Sequence, residues 1–272
     1  MKALFKSILE LFTFILIKIT SSFNAGRYFN DLILNNISKN KIEIVHGELK
    51  LIFYTPNRLC YWRAKTFLSK EPETIDWIDE FKENEIFWDI GSNIGLYSCY
   101  AASKKINVIS FEPSVFNLEI LAKNIFKNRL ENKITIVPLA LSNTTGIKNF
   151  NMSSTEQGGA MSSLAEKLFN QDGIEIKKIF NYNLLSIEPK TICSLMNFKS
   201  PHHIKIDVDG IEHLIVSSLD GILHNTKSIL VEVDQKFMNN LKSIEKFLMN
   251  NNFRLKVAKK ENENQFNQLW YR

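Results

Sequence analysis

Along the 272 residues, short apolar runs alternate with stretches whose apolar positions recur every three or four residues. A short apolar run bounded by turn signals predicts a buried strand, and 3–4 spacing predicts a helix with one face on the core. Ile86–Ile90 is such a run, and it leads through a glycine-containing turn into a helix from Gly95 to about Lys104. Asn107–Phe111, Ile134–Pro138, His203–Val208 and Ser228–Val233 read as four further strands. Between them, Ser114–Lys127 has helical spacing at Val115, Leu118, Leu121, Ala122 and Ile125. A helix starts near Ile211, another covers Asn239–Asn250, and Phe253–Ala258 and Gln268–Tyr271 close the chain as strands.

Strand and helix alternating over short connections predict an α/β fold, a doubly wound and mostly parallel sheet covered on both faces. Crossovers in such a sheet are right-handed. Upstream, Ile42–His46 and Leu49–Tyr54 read as a hairpin turning near Gly47-Glu48. Glu71-Pro72-Glu73-Thr74 opens a helix running to about Lys82, because proline and acids suit a first helical turn. The stretch 143–201 is polar, carries Gly158-Gly159 and breaks the rhythm, so it reads as an insertion over the ligand face. This divides the chain into an N-terminal extension, 1–70, and one domain, 71–272.

Residues 1–23 hold an uninterrupted apolar stretch only from Leu11 to Ile17. A spanning helix needs about 20 mostly apolar residues, and Glu10 and Lys18 would fall inside it. Ile19-Thr20-Ser21-Ser22 is a poor signal-peptide cleavage site. The segment is read as an amphipathic helix, either packed on the body or in peripheral contact with a membrane surface.

Composition narrows the class. The chain is 44% hydrophobic and 23% charged, enough for a globular core. Its three cysteines, Cys60, Cys99 and Cys193, form no CxxC pair, which excludes a disulfide scaffold and a zinc ribbon. That points to a reducing compartment, the cytoplasm. Residues 1–65 carry ten Lys/Arg against four acids, a net +6, which leaves −1 for the rest of a chain of net +5. A near-neutral body argues against nucleic acid as a partner.

Asp89-Ile90-Gly91-Ser92-Asn93-Ile94-Gly95 follows the first core strand and opens a helix. Ligands of open α/β sheets bind outside the carboxyl ends of the strands, and a turn there needs glycine for positive φ and for close approach. Glu112 ends the next strand, where an acid can accept hydrogen bonds from ribose hydroxyls. A nicotinamide dinucleotide would use the same geometry, but Asn93 occupies the second glycine position of its fingerprint. A side chain there crowds a pyrophosphate and not a ligand without phosphates, such as S-adenosylmethionine, whose ammonium Asp89 would suit directly or through water.

A second cluster, Lys205-Ile206-Asp207-Val208-Asp209-Gly210-Ile211-Glu212-His213, ends the fourth strand, with Glu232 and Asp234 ending the fifth. On an extended strand Lys205, Asp207 and Asp209 share one side. A charged face is costly inside a covered sheet unless paired, so these groups are expected to emerge at the ligand crevice. Three readings stand: proton removal by an Asp, Glu or His; a divalent metal on Asp207, Asp209, Glu232 and Asp234; or a structural Lys–carboxylate pair with a helix cap.

Together these blocks resemble the FkbM-type S-adenosylmethionine-dependent methyltransferases. The resemblance runs from about Glu71 to Arg272 and rests on Phe87–Tyr97, Phe111–Ser114, Val137–Asn143, Ile204–Glu212 and Ile229–Val233, in that order, and Gly158–Leu164 is similar to a small-residue segment of the family. Two positions depart from it: Cys193 stands where the family often has Asp, and Asp209 where Glu is frequent. The resemblance implies a Rossmann-like methyltransferase fold with a terminal antiparallel strand. It implies cofactor binding by Gly91, Ser92, Asn93, Gly95, Glu112 and Pro113, with Ala140, Leu141 and Ser142 near the adenine. The family mostly methylates oxygen on sugars and small molecules, so a small-molecule or carbohydrate hydroxyl is the expected acceptor.

For removing that hydroxyl's proton the expectation falls on Asp207, with Glu212 and His213 behind it, and on Lys205 to orient substrate or tune a carboxylate, with no metal. The alternatives are an NAD-dependent oxidoreductase and a non-catalytic, membrane-associated binding protein.

Overall fold

The computed structural model describes residues 2–170, 174–257 and 264–272. Two helices open the chain, α1 (Lys2–Thr20) and α2 (Asn24–Ser38). A hairpin of β1 (Lys41–His46) and β2 (Leu49–Tyr54) follows, then α3 (Arg58–Lys70) and α4 (Pro72–Asp79). The first wound half is β3 (Ile86–Ile90), α5 (Leu96–Ser103), β4 (Asn107–Phe111), α6 (Val115–Lys127) and β5 (Ile134–Val137). β6 (Ala140–Leu141) leads into the inserted stretch, which holds β7 (Gly146–Met152), β8 (Leu168–Phe169), β9 (Glu175–Ile176), β10 (Phe180–Ile187) and α7 (Pro189–Met196). β11 (His203–Ile206), α8 (Glu212–Ser217), β12 (Ser228–Asp234), α9 (Met238–Asn250), β13 (Arg254–Val257) and β14 (Gln265–Tyr271) complete it. Ala258, placed by the sequence in the penultimate strand, lies outside the described residues.

The main sheet has seven strands in the order β5-β4-β3-β11-β12-β14-β13. The five consecutive strands from β5 to β12 are parallel, and β14 runs antiparallel to both β12 and β13. This is the Rossmann-like methyltransferase arrangement. Strand order reverses between β3 and β11, so the crevice opens where those two strands end. Side chains of one strand divide between two cores. Phe87, Val108 and Leu230 face the core built with β2, α3, α4 and α5; Trp88, Ile109 and Val231 face the one built with α8 and α9. Burial on both faces is why these strands are near-continuous apolar runs.

The fold departs from the sequence reading in three places. First, α2 and α3 were not expected. Asn57 caps α3, accepting the Cys60 N–H at 2.8 Å, and Cys60, Ala64 and Phe67 are its buried positions. Second, the insertion builds its own sheet with β6, in the order β6-β10-β7. Third, β11 stops at Ile206 rather than Val208, because Asp209 takes φ +59° and Gly210 φ +114°, which no strand continues.

The hairpin and α3 pack into the body; α1 and α2 do not. The backbone N–H groups of Ile52 and Tyr54 donate to Asn128 and Asn124 of α6, each at 2.8 Å, so side-chain amides cover the edge of β2. The two opening helices meet at a corner where a Cβ on Gly26 would lie 2.0 Å from the Thr20 carbonyl oxygen. Arg27 Nε closes that corner on the Ser21 carbonyl at 2.9 Å. No helix among the described residues is long and apolar enough to cross a membrane.

Candidate functional site

The turn after β3 folds back over β4: Gly91 and Ser92 donate their N–H groups to the Phe111 carbonyl at 2.9 and 3.0 Å. Gly91 has φ +85°, Asn93 +51° and Gly95 +81°. A Cβ on Gly91 would lie 1.8 Å from the Asp207 carbonyl oxygen, and one on Gly95 would lie 2.3 Å from Leu121 Cδ1. Both glycines therefore serve positive φ and tight packing of the protein on itself. The chain exit of β11 is the element that passes close to Gly91.

A hollow opens beside this turn, about 560 Å³ with the open solvent at its mouth included. Phe111, Pro113, Leu139, Ala140, Leu141 and Phe150 give it an apolar wall, and Glu112 stands at its edge. The Glu112 carboxylate accepts the N–H groups of Asn93 at 2.7 Å and Ser114 at 2.8 Å. Burial pushes its carboxyl up to about 7, against the pull of those donors.

The expected cofactor residues divide around this hollow. Gly91, Asn93, Glu112, Pro113, Ala140 and Leu141 line it. Ser92 lines a neighbouring hollow of about 530 Å³ on the far side of the turn. Asp89, Gly95 and Ser142 line neither. Asp89 is 1% exposed and lies beneath the turn; Ser98 donates its hydroxyl to Oδ2, while Oδ1 has no hydrogen-bond partner. A direct contact from Asp89 to a ligand ammonium is not built into this arrangement. Ser142 accepts from Lys148 Nζ at 2.8 Å within the insertion.

A strap from the insertion crosses the hollow. The Gly159 carbonyl accepts from Asn93 Nδ2 at 2.7 Å and from Asn117 Nδ2 at 3.2 Å. Gly158 donates to Asn117 Oδ1 at 2.9 Å and accepts from Arg63 Nε at 2.6 Å. The Gln157 carbonyl accepts from Asn57 Nδ2 at 2.9 Å. Further along, Met161 donates to Asp209 Oδ2 at 2.6 Å. Asn57, Arg63 and Asn117 were not singled out from the sequence, since a polar residue that binds a distant backbone leaves no local pattern.

The acidic cluster splits the same way. Lys205 lines the hollow on the far side of the turn, with Asp207, but is almost wholly enclosed. It is 1% exposed, its Nζ donates to Asp207 Oδ2 at 2.7 Å and lies 5.0 Å over the Tyr97 ring. Burial works against its charge, but Asp207, Glu71 and Asp89 outweigh it and hold the ammonium protonated. Burial also pushes the Asp207 carboxyl up, yet Lys205, Lys70 and Arg63 hold it below the ordinary range. Asp207 lines both hollows described so far.

Asp209, outside the strand, lines the first hollow and a third one of about 850 Å³. Burial and neighbouring Asp207 push its carboxyl up to about 6. Glu212 and Glu232 also face the third hollow. Glu212 caps the start of α8 through the Gly210 and Val208 N–H groups, and burial raises it to about 7. Burial and the surrounding carboxylates raise Glu232 well above its ordinary value. His213 lines none of the three hollows, and its Nδ1 is buried without a partner. Among the described residues no three His, Cys, Asp or Glu side chains converge as a metal site, so Asp207, Asp209, Glu232 and Asp234 do not form a ligand set.

The profile of the Methyltransferase FkbM domain matches residues 89–255, more than half of the chain. The chain belongs to this family. It is similar to the hexuronic acid methyltransferase AglP of Haloferax volcanii, 26% identical over 174 residues, which cover 63% of this chain and 65% of AglP. The match thus spans just under two thirds of that relative's length. Among solved structures it is similar to a precorrin-6y C5,15-methyltransferase from Geobacter metallireducens, with 14% identity, 81% and 95% of the two chains covered, and TM-score 0.47. It is also similar to TYW2 of P. horikoshii, solved in complex with MeSAdo, with 13% identity, 86% and 70% covered, and TM-score 0.45.

In this FkbM-family chain the turn, the strap and the two strand ends enclose an apolar slot with a carboxylate at its edge. Asp207 and Asp209 mark where it opens into the neighbouring hollows.

Proposed function

We propose that this chain transfers the methyl group of S-adenosylmethionine to a hydroxyl of a carbohydrate or another small molecule. The observation that carries the reading is Glu112, a buried carboxylate at the edge of an apolar slot just past the glycine turn. Pro113, Leu139, Ala140 and Leu141 would hold the adenine, and Glu112 the ribose diol. When bound, the cofactor supplies a methyl carbon on cationic sulfur that an acceptor oxygen displaces. The protein's part is alignment, which in well-oriented systems is worth effective molarities of about 10⁵–10⁸ M.

Proton removal from the acceptor falls to Asp209 ahead of Asp207. Asp209 stands where the cofactor slot meets the third hollow, with a carboxyl raised to about 6. Asp207 is kept ionised by Lys205 and is the weaker base; its charge suits a cation at the junction of slot and turn. The third hollow suits a hydroxyl-bearing acceptor, because the carboxyl groups of Asp209, Glu212, Glu232 and Asp234 line it and can exchange hydrogen bonds with hydroxyls. The three cysteines, free of disulfides, fit a reducing cytoplasm.

Calorimetry with S-adenosylmethionine, S-adenosylhomocysteine and NAD tests the cofactor. Both adenosyl ligands should bind and NAD should not, since the Asn93 side chain is spent on Gly159 and on the Ile94 N–H at 2.9 Å over the turn. Incubation of sugars, hexuronic acids and nucleotide-sugars with isotopically labelled cofactor, read by mass, tests the acceptor. NAD binding with no adenosyl ligand bound would overturn the assignment.

A further inference from the structure

α1 presents an apolar face that nothing in the body covers. Phe5, Ile8, Phe12, Ile15 and Ile19 run down its centre, each between 47% and 69% exposed. At 3.6 residues per turn nine of the large apolar side chains, from Leu11 round to Leu9, fill an arc of roughly 160°. Lys6, Glu10, Thr13 and Thr20 lie on the other side, with exposed Phe14 and Ile17 among them. There Lys6 pairs with Glu10 at 3.7 Å, and the Thr13 hydroxyl donates to the Leu9 carbonyl at 2.9 Å. α1 touches α2 at the Gly26 corner, whose side chains are themselves mostly exposed.

We propose that α1 lies in the surface of an anionic phospholipid bilayer and holds the enzyme body against it. Two observations select this occupant. The arc covers nearly half the helix circumference, which suits a soft plane; the seam between two coiled helices is narrower. The charge is also placed for it: residues 1–65 carry a net +6 and the remainder −1, and Lys18, Arg27, Lys39 and Lys41 around the helices are exposed. Basic residues beside an apolar helical face add electrostatic attraction to anionic headgroups. No helix among the described residues is long and apolar enough to cross a membrane, and the attachment proposed is peripheral. The inference is independent of the methyl-transfer reading.

The test is sedimentation of the full chain with sucrose-loaded vesicles of phosphatidylcholine alone or mixed with phosphatidylglycerol. The chain should sediment with the mixed vesicles, at least tenfold less with phosphatidylcholine alone, and less as salt rises. The double variant Ile8→Glu/Phe12→Glu should lose at least tenfold in binding, with an unchanged thermal midpoint of the body; Glu10→Gln should bind as the parent does. Failure of the parent chain to bind anionic vesicles overturns the proposal. So does equal binding by the double variant, a fall in its midpoint (α1 then packs on the body), or a dimer that it dissociates in place of vesicle binding.

Discussion

Asn93 and Gly159 are 66 residues apart in the chain and joined by one hydrogen bond, Nδ2 to carbonyl oxygen, at 2.7 Å. The bond ties the turn that shapes the cofactor slot to the strap that covers it. Asn93→Ala should cost about 0.5–1.5 kcal/mol, the usual net worth of one hydrogen bond, because the Gly159 carbonyl keeps the Asn117 amide. Urea denaturation checks this, and hydrogen exchange at residues 158–163 should accelerate more than elsewhere. Uniform exchange across the protein would mean the strap is held by other bonds.

Glu112→Gln keeps the shape and removes the charge. S-adenosylmethionine affinity should fall at least tenfold, about 1.4 kcal/mol, by calorimetry. Unchanged affinity would remove Glu112 from the site.

The same variant reports on pH. The Glu112 carboxyl is raised to about 7 from an ordinary 4.5 by burial. Between those values the folded state holds a proton that the unfolded state has lost. The group's stabilising contribution is therefore complete below about pH 4.5 and disappears as pH climbs through 7. His203, held near 4 by burial, acts in the opposite sense but is common to both proteins. The stability of the parent chain minus that of Glu112→Gln should thus decline from about pH 5 to 7 and then level off. A flat difference would show that Glu112 ionises normally.

Lys205→Met strands Asp207. Loss of one partner from a buried pair costs about 3–5 kcal/mol, and here the low end applies because the Asp207 side chain is 31% exposed. The double variant Lys205→Met/Asp207→Asn should recover much of that loss. Full additivity of the two single changes would argue that the pair is not coupled.

Asp209→Asn should lower kcat by about 10²–10⁴-fold, the usual contribution of a positioned base, with cofactor affinity within a few-fold of the parent. The same loss in Asp207→Asn with Asp209→Asn active would exchange their roles. Methyl transfer should survive exhaustive chelation; a loss restored by magnesium would bring the metal reading back.

What was legible in the sequence follows from burial. Ile86–Ile90 and Ser228–Val233 are strands covered on both faces, so their apolar runs are unbroken and the parallel sheet could be read directly. Gly91 and Glu112 were legible because a turn at positive φ and an acid at a strand end recur at a fixed spacing. β7 and β10 were not: Gly146–Met152 and Phe180–Ile187 are rich in asparagine and half exposed, and their apolar alternation is weak. Asp209 misled for a different reason. Its φ of +59° turns the chain out of the strand, and a non-glycine residue in that conformation leaves no mark in the pattern. The strap's hold on Arg63 and Asn57 is a long-range contact, invisible to any local window.

The family profile begins at residue 89, inside β3, yet the folding unit starts some fifty residues earlier. Leu51 and Phe53 of the hairpin, Phe67 of α3 and Trp77 of α4 complete the core that Phe87 and Val108 share, and the asparagines of α6 are stitched to β2. A fragment cropped to the profile would strip the hairpin, α3 and α4 from that face of its sheet and leave only α5 and α6 to cover it. Expression work on this protein should therefore keep everything from about residue 40 onward.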